Sequence, residues 1–263
     1  MSPREPLSVV VTTLDNADTL DACLHGVAWV EEIVVLDSGS TDATLAIAAH
    51  YGARIHAQAF AGYSAQKQAA IDLASHRWVL LLDSDEFIDV QAAATLQQAL
   101  TAPVHAGYQL WRREWQFWRW QSSRARLNHY VRLFDRQHAR MSGHEVHEAV
   151  QVDGSVGVLD VIIDHAGEPD ISGRVDKANR YSSMQQTDLV KRKTSWLRLR
   201  MVVYPAVAFV RYYLLRGHWR AGWAGFIAAR IHAFYALLKY AKLYEARQHE
   251  HEQKSPSGRR SPQ

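Results

Sequence analysis

The chain has 263 residues, 48% hydrophobic and 22% charged, which excludes a disordered polymer and leaves room for a sizeable buried core. Its single cysteine, Cys23, excludes an internal disulfide and fits a reducing compartment, and the opening MSPREPL-SVVV lacks the length and processing site of a secretory signal. The formal charge of +3 hides a polarity: residues 1–100 hold 13 acidic and 4 basic side chains, whereas residues 189–244 hold 11 basic and no acidic ones. Such asymmetry points to a basic segment that meets an anionic surface, either nucleic acid or lipid, unless it is merely a solvated face.

The first ninety residues alternate between strand and helix patterns. Ser8–Leu14 (SVVVTTL) is a predicted strand, followed by a helix with Leu20, Leu24 and Val27 at helical spacing. Ile33–Leu36 (IVVL) is the second strand and ends in Asp37. Ser40 or Thr41 can cap the next helix, with Asp42 in its first turn, Leu45, Ala48 and Ala49 inward, and Gly52 closing it. Arg54–Ala59 is a weaker strand and Ser64–Ala74 a helix. Trp78–Leu82 (WVLLL) reads as a strand buried on both faces. This order predicts right-handed crossovers, a mostly parallel α/β sheet, and a ligand crevice outside the carboxyl ends of the strands.

Beyond residue 105 the pattern changes. Gly107–Phe117 and His129–Phe134 are predicted strands around the Trp- and Arg-rich stretch WRREWQFWRWQSSRAR. SGHEVHEAVQVDG follows, then an apolar strand near Val156–Ile163 ending in Asp164-His165. Helices are expected from Ile171 onward. The predicted organisation is a catalytic domain over 1–168, a helical region over 169–247 and a disordered tail over 248–263.

Three strand ends carry chemistry: Thr12 and Thr13 after the first, Asp37 after the second, and Asp83-Ser84-Asp85-Glu86 after the fourth. Two aspartates one residue apart can place one carboxylate on a divalent metal and the other near a ribose or a metal-bound water. The spelling alone is common, and the position directly after a buried strand gives it weight. The Asp37-Ser38-Gly39-Ser40-Thr41-Asp42 turn serves as a helix cap, and Asp37 can also accept from a uracil or ribose donor.

In this order, SVVVTTLDN, IVVLDSGSTDAT, GYSAQKQAA and WVLLLDSDE resemble the motifs of the family 2 inverting glycosyltransferases with the GT-A (Rossmann-like) fold. LNHYVRLFDR, GHEVHEAVQVDG and ALLKYAKLYE resemble a narrower branch, the lipopolysaccharide core β-glucosyltransferases. The resemblance covers roughly residues 7–245. It departs from the family at Asp15-Asn16-Ala17-Asp18, where an acidic pair is usual, and at Gln68, where Asn is customary.

The resemblance implies that Thr12, Asp37, Lys67 and Asp83 bind the nucleotide sugar and that Asp85 holds Mg²⁺ or Mn²⁺, while His165, at a strand end, offers a further metal or phosphate ligand. Lys67 can pair with the diphosphate or be an ordinary exposed lysine, and His165 can equally be a satisfied half-buried histidine. Inverting transfer needs a base for the acceptor hydroxyl. Glu148 is the first choice, with His147 contacting metal or phosphate, and Glu145 or His147 itself stands as the alternative. Arg126 and Arg132 either hold phosphate groups or form a solvated strand face.

Residues 196–244 interleave Arg and Lys with aromatic and aliphatic side chains. The run MVVYPAVAFV is shorter than the roughly 20 apolar residues a spanning helix needs. In Trp223–Ala241, Trp223, Phe226, Ile227, Ile231, Phe234 and Leu238 fall at helical spacing beside Arg220, Arg230, Lys239 and Lys242. That pattern suits a peripheral contact with an anionic membrane surface, or packing on the catalytic domain.

The expected activity is transfer of a sugar, glucose from UDP-glucose, onto a lipid-linked glycan such as the lipopolysaccharide inner core at the cytoplasmic face of the inner membrane. The rival readings are transfer to a polyprenyl phosphate and a basic nucleic-acid-binding protein. The second predicts salt-sensitive binding to RNA or DNA and leaves the aspartates unexplained, so no nucleic-acid partner is expected.

Overall fold

The computed structural model describes residues 4–143, 149–167, 169–191 and 195–254. The chain divides into two compact units: Met1–Glu114 with Leu127–Gly167, and Trp115–Arg126 with Glu168–Gln263. The excursion Trp115–Arg126 is the part of the second unit that the sequence left in the catalytic domain.

In the first unit, β1 (Leu7–Thr13), β2 (Glu32–Asp37), β3 (Arg54–Ala57) and β4 (Trp78–Asp83) alternate with α1 (Ala17–Val27), α2 (Thr44–His50) and α3 (Tyr63–Asp72). Then come β5 (Glu86–Phe87), α4 (Val90–Ala99), β6 (Gly107–Gln116), β7 (Arg119–Trp120, which belongs to the second unit), β8 (Asn128–Asp135), β9 (Ala139–Met141), β10 (Val150–Val152) and β11 (Val156–His165). The main sheet runs β3-β2-β1-β4-β8-β6-β11-β5. Its first four strands are parallel, as the strand–helix alternation dictates. The remainder is mixed: β8 lies antiparallel to both β4 and β6, β11 parallel to β6, and β5 antiparallel to β11.

Alternation along β1 and β4 sends side chains into two cores. Val9, Val11, Leu80 and Leu82 pack with Leu20, Leu24 and Leu96 on one face. Val10, Val79 and Leu81 pack with Ala70, Ile71 and Phe134 on the other. Both faces are therefore covered, which is why WVLLL reads as an uninterrupted apolar run.

Helix α4, which the sequence reading did not assign, is capped by Asp89, whose carboxylate accepts from Ala92 N at 2.7 Å. Helix α2 begins later than expected, at Thr44, and buries Thr44 and Ala48 while Leu45 is exposed. Ser40 donates instead to Asp37, the N-cap position falls on Ala43, and Asp42 Oδ1 just before it accepts from Thr44 N at 2.9 Å.

The second unit contains α5 (Ile171–Lys191), α6 (Leu197–Val210), a π-helical turn (Arg211–Leu215), a 3-10 turn (His218–Ala221) and α7 (Gly222–Lys254). Leu197, Tyr240 and Leu243 form its small apolar centre with Met201 and Tyr244. Lys242 Nζ donates to Asn179 Oδ1 at 2.6 Å and Ser183 Oγ at 2.7 Å, tying α7 to α5. Gly225 is required where α7 meets the 3-10 turn, because a Cβ there would lie 1.9 Å from the His218 carbonyl oxygen. Residues 248–254 continue α7 rather than starting a tail, since Ala, Arg, Gln and Glu around them favour helix propagation. Among the described residues, His218–His251 is the one helical stretch long and apolar enough, by length and composition, to cross a membrane, and a third of its apolar window is buried in the fold.

The predicted amphipathic stretch lies in α7, but its apolar face is partly used internally. Phe226 sits edge-on to Phe209, Tyr213 and Trp223. Phe226, Ile227, Ile231 and Leu238 are half-buried, while Trp223 and Phe234 are exposed.

Candidate active site

Strand register assembles the site. Thr12 of β1 pairs with Asp83 of β4 on one side and Leu36 on the other, and Thr13 pairs with Asp37 of β2. The three polar strand ends thus finish at one level. Beyond Asp83 the chain turns through Ser84 and Asp85, and Glu86–Phe87 crosses to pair with β11, placing Glu86 beside His165 and Phe87 beside Asp164. This crossing carries Asp85 to His165, whose Nε2 lies 3.2 Å from Asp85 Oδ2.

Asp83 is held by two cations. Lys67 Nζ from α3 lies 2.7 Å from Oδ1, and Arg132 Nη2 from β8 lies 3.0 Å from Oδ2. Burial alone would raise the Asp83 pKa, but Lys67 and Arg132 outweigh it and hold the carboxyl far below the usual range. Lys67 is therefore a buried ion-pair partner and not a lone surface lysine.

Glu86, fully buried, is a residue the sequence reading left without a role. Its carboxylate accepts from Asp83 N at 3.1 Å, from Arg132 at 2.5 Å and from Arg112 at 3.4 Å. Arg112 Nε also donates to Glu114 Oε1 at 2.9 Å, and Glu114 Oε2 lies 2.6 Å from His165 Nδ1. Burial disfavours a charged His165, yet its bonds to Asp85 and Glu114 prevail and push its pKa up to about 9. A signal for Arg112 and Glu114 was present, since charged residues set between the tryptophans of a predicted strand demand partners.

Asp37 is buried, and its carboxylate is engaged by its own loop. It accepts from Gly39 N and Ser40 N at 2.9 Å and from Ser40 Oγ at 2.5 Å. Asn16, in the segment that departs from the family pattern, accepts from Ser84 Oγ at 2.7 Å and so braces the Asp83–Asp85 turn against the end of β1. Arg132 belongs to the site. Arg126 is exposed, lies in the second unit, and donates its backbone N–H to Arg216 O at 2.9 Å. Glu145, His147 and Glu148 lie outside the described residues.

Asp85 Oδ2 and His165 Nε2 lie 3.2 Å apart and bond each other; once the proton between them is displaced, this oxygen and nitrogen are donors of the type Mg²⁺ or Mn²⁺ accepts beside phosphate oxygens. No group of three or more His, Cys, Asp or Glu residues poised for a metal occurs among the described residues.

Residues 8–155 match the family described as "Glycosyl transferase family 2". The chain belongs to that family. It is 30% identical over 257 residues, 93% of its length and 94% of its relative's, to the lipopolysaccharide core biosynthesis glycosyltransferase LpsC of Rhizobium meliloti. An uncharacterized glycosyltransferase of Rickettsia felis is 27% identical over 92% of this chain and 90% of its own. Among solved structures, glucosyl-3-phosphoglycerate synthase of Mycobacterium tuberculosis aligns at 24% identity and a TM-score of 0.37 over 41% of this chain and 44% of that one. The chain is thus a family 2 glycosyltransferase with a GT-A-like mixed sheet.

Proposed function

We propose that this glycosyltransferase moves a hexose, glucose from UDP-glucose, with inversion onto a lipid-linked acceptor, the lipopolysaccharide inner core, at the cytoplasmic face of the inner membrane. The observation that carries the reading is the convergence of Asp83, Lys67, Arg132, Asp85 and His165 at aligned strand ends. The acceptor class is supported by the likeness to the lipopolysaccharide core enzyme over nearly the whole of both chains.

Lys67 and Arg132 hold Asp83 rigidly at the mouth of the crevice, and Lys67 is placed to share its charge with an arriving diphosphate. Thr12 and the Asp37 loop line the nucleoside side, with Asp37 setting the shape of that loop. Asp85 and His165 would hold Mg²⁺ or Mn²⁺, and Glu114 fixes the His165 ring. When bound, the ion supplies positive charge to the diphosphate leaving group.

The acceptor oxygen attacks the anomeric carbon, the bond from that carbon to the diphosphate oxygen breaks, and UDP leaves with the electron pair. Glu148 takes the acceptor proton, with Glu145 or His147 as the alternative base.

The first test is calorimetric titration of UDP and then GDP, with and without Mn²⁺, into the full chain and into Asp85→Ala. UDP binding that needs Mn²⁺ and is lost in Asp85→Ala is the expected result. Preference for GDP would overturn the donor, and binding of neither would overturn the site. Transfer to a heptose-containing core but not to polyprenyl phosphate would then fix the acceptor class.

A further inference from the structure

Helix α6 has one face turned inward and one turned out. Leu197 and Met201 join Tyr240 and Leu243 in the centre of the second unit, and Tyr204 rests edge-on against Tyr240. On the opposite side, at 100° per residue, Leu199, Val202, Val203, Ala206, Val207 and Val210 fall within an arc of about 140°. Every one of them is exposed: Leu199 at 57%, Val202 at 74%, Val203 at 41%, Val207 at 58% and Val210 at 45%. No charged side chain interrupts residues 201–210. A wholly apolar helical face with no polar member is unusual in water and marks an interaction surface.

The ends of the stripe say what covers it. Trp196, 77% exposed, stands at the N-terminal end, and Leu215 and Trp219, 75% and 48% exposed, stand beyond the C-terminal end. Arg198 and Arg200 flank the first, Arg211, Arg216 and Arg220 the second, and no acidic residue occurs anywhere in 189–244. The Arg220 guanidinium lies over the Trp219 ring at 4.4 Å from its centroid. An exposed apolar face flanked by indoles and guanidinium groups, with no acidic residue nearby, is what a helix lying in the headgroup boundary of an anionic bilayer presents. The uncharged run 201–210 reaches only about 15 Å before Arg211, too short to cross the hydrocarbon core, so the helix lies in the plane.

We propose that the outer face of α6, from Leu199 to Val210, is the surface by which the chain docks on a bilayer carrying anionic lipids. This deepens the reading of a lipid-linked acceptor and rests on it. It also assigns the contact to α6, where the sequence had assigned it to the apolar positions of α7.

The test uses the full chain, sedimented with vesicles of phosphatidylcholine with and without phosphatidylglycerol. Val202 and Val207 are changed together to Asp, with Val90→Asp, a still more exposed valine at the start of α4, as the control. The wild-type chain and the control should bind the anionic vesicles, and the double variant should bind at least about tenfold more weakly. UDP affinity should be the same in all three. Val203→Cys carrying a polarity-sensitive dye should shift to the blue on vesicles, since the buried Cys23 will not compete for the label.

Vesicle binding by the double variant equal to wild type would overturn the proposal. So would a blue shift that needs no vesicles and grows with protein concentration, which would make a second copy of the chain the occupant. Failure of wild type to bind vesicles while UDP still binds would also overturn it, and would leave the glycosyltransferase site standing.

Discussion

The Lys67 ammonium lies 2.7 Å from the Asp83 carboxylate, and the lysine side chain is buried. An ammonium so placed neutralises the aspartate in the absence of nucleotide and can turn part of its charge to a diphosphate when one arrives. Lys67→Met should therefore weaken UDP binding by about tenfold or more, as loss of a hydrogen bond to a charged group implies. Titration calorimetry checks this. Unchanged UDP affinity with a lowered melting temperature would confine Lys67 to holding Asp83 in place.

Arg132 and Glu86 pose the opposite case. The two side chains are almost wholly buried and 2.5 Å apart, with Arg112 farther off at 3.4 Å. Removing Arg132 strands the Glu86 carboxylate in the interior, and breaking such pairs costs about 3–5 kcal/mol. Arg132→Met should lower unfolding stability by that order in urea titrations. Arg126→Met, on an exposed side chain, should leave it within about 0.5 kcal/mol of wild type.

The parallel half of the fold was legible because period and burial agree there. SVVV, IVVL and WVLLL read as strands, the last as one covered on both faces, with Asp37 and Asp83 at their ends. The neighbouring half was not legible in the same way. Nothing local in Asp85-Glu86-Phe87 announces that the chain crosses β8 and β6 to reach β11, because that pairing is made by residues nearly eighty positions later. Glu86 is carried past Arg132 and Arg112 by that crossing, and Glu114 meets His165 through the β6–β11 pairing. Helix α4 was missed because its sequence, VQAAATLQQA, has one large buried side chain, Leu96, and so offers a weak apolar period. The outer face of α6 was missed for a different reason: a run of valines reads as buried, and only the packing of Leu197 and Met201 on α7 shows which side remains outside.

Glu114 acts through His165. Its Oε2 lies 2.6 Å from Nδ1, and the other ring nitrogen faces Asp85 at 3.2 Å. A carboxylate there fixes the tautomer and angle of the ring, and outer contacts of this kind are worth about 10–100-fold in metal affinity. Glu114→Gln should weaken Mn²⁺ affinity in the presence of UDP within that range, while UDP affinity without Mn²⁺ stays unchanged. Equal losses with and without Mn²⁺ would show that Glu114 supports the fold alone.

Glu32 offers a pH signature away from the chemistry. Its carboxylate accepts from Ser8 Oγ at 2.5 Å, from Ser75 N and Oγ at 2.7 Å, and from Arg54. Burial opposes the charge, but these donors overcome it and bring the pKa down to about 2. A depressed carboxylate pKa means the unfolded chain takes up protons first as pH falls. The stabilisation is complete above the ordinary Glu value near 4.3 and is lost as pH falls through about 2. Glu32→Gln should be about 1–2 kcal/mol less stable than wild type at neutral pH. The gap should close on acidification, as followed by urea melts across that range. A gap independent of pH would mean that the carboxylate charge contributes nothing.

The acceptor proton requires a base, and the segment that carries the candidates follows Gly143, whose backbone N–H donates to Ser64 Oγ of α3 at 3.1 Å. Ser64 is one turn from Lys67 on the same helix, so the chain enters this segment from beside α3. If Glu148 is the base, Glu148→Gln should lower kcat by about 10²–10⁴ with the KM for the nucleotide sugar nearly unchanged, because the lost step is proton removal and not donor binding. Glu145→Gln and His147→Asn should each cost far less. If His147→Asn instead gives the larger loss in kcat and shifts the acid limb of the pH–rate profile, the imidazole takes the proton. A parallel rise in KM in every variant would move the whole segment from proton transfer to substrate binding.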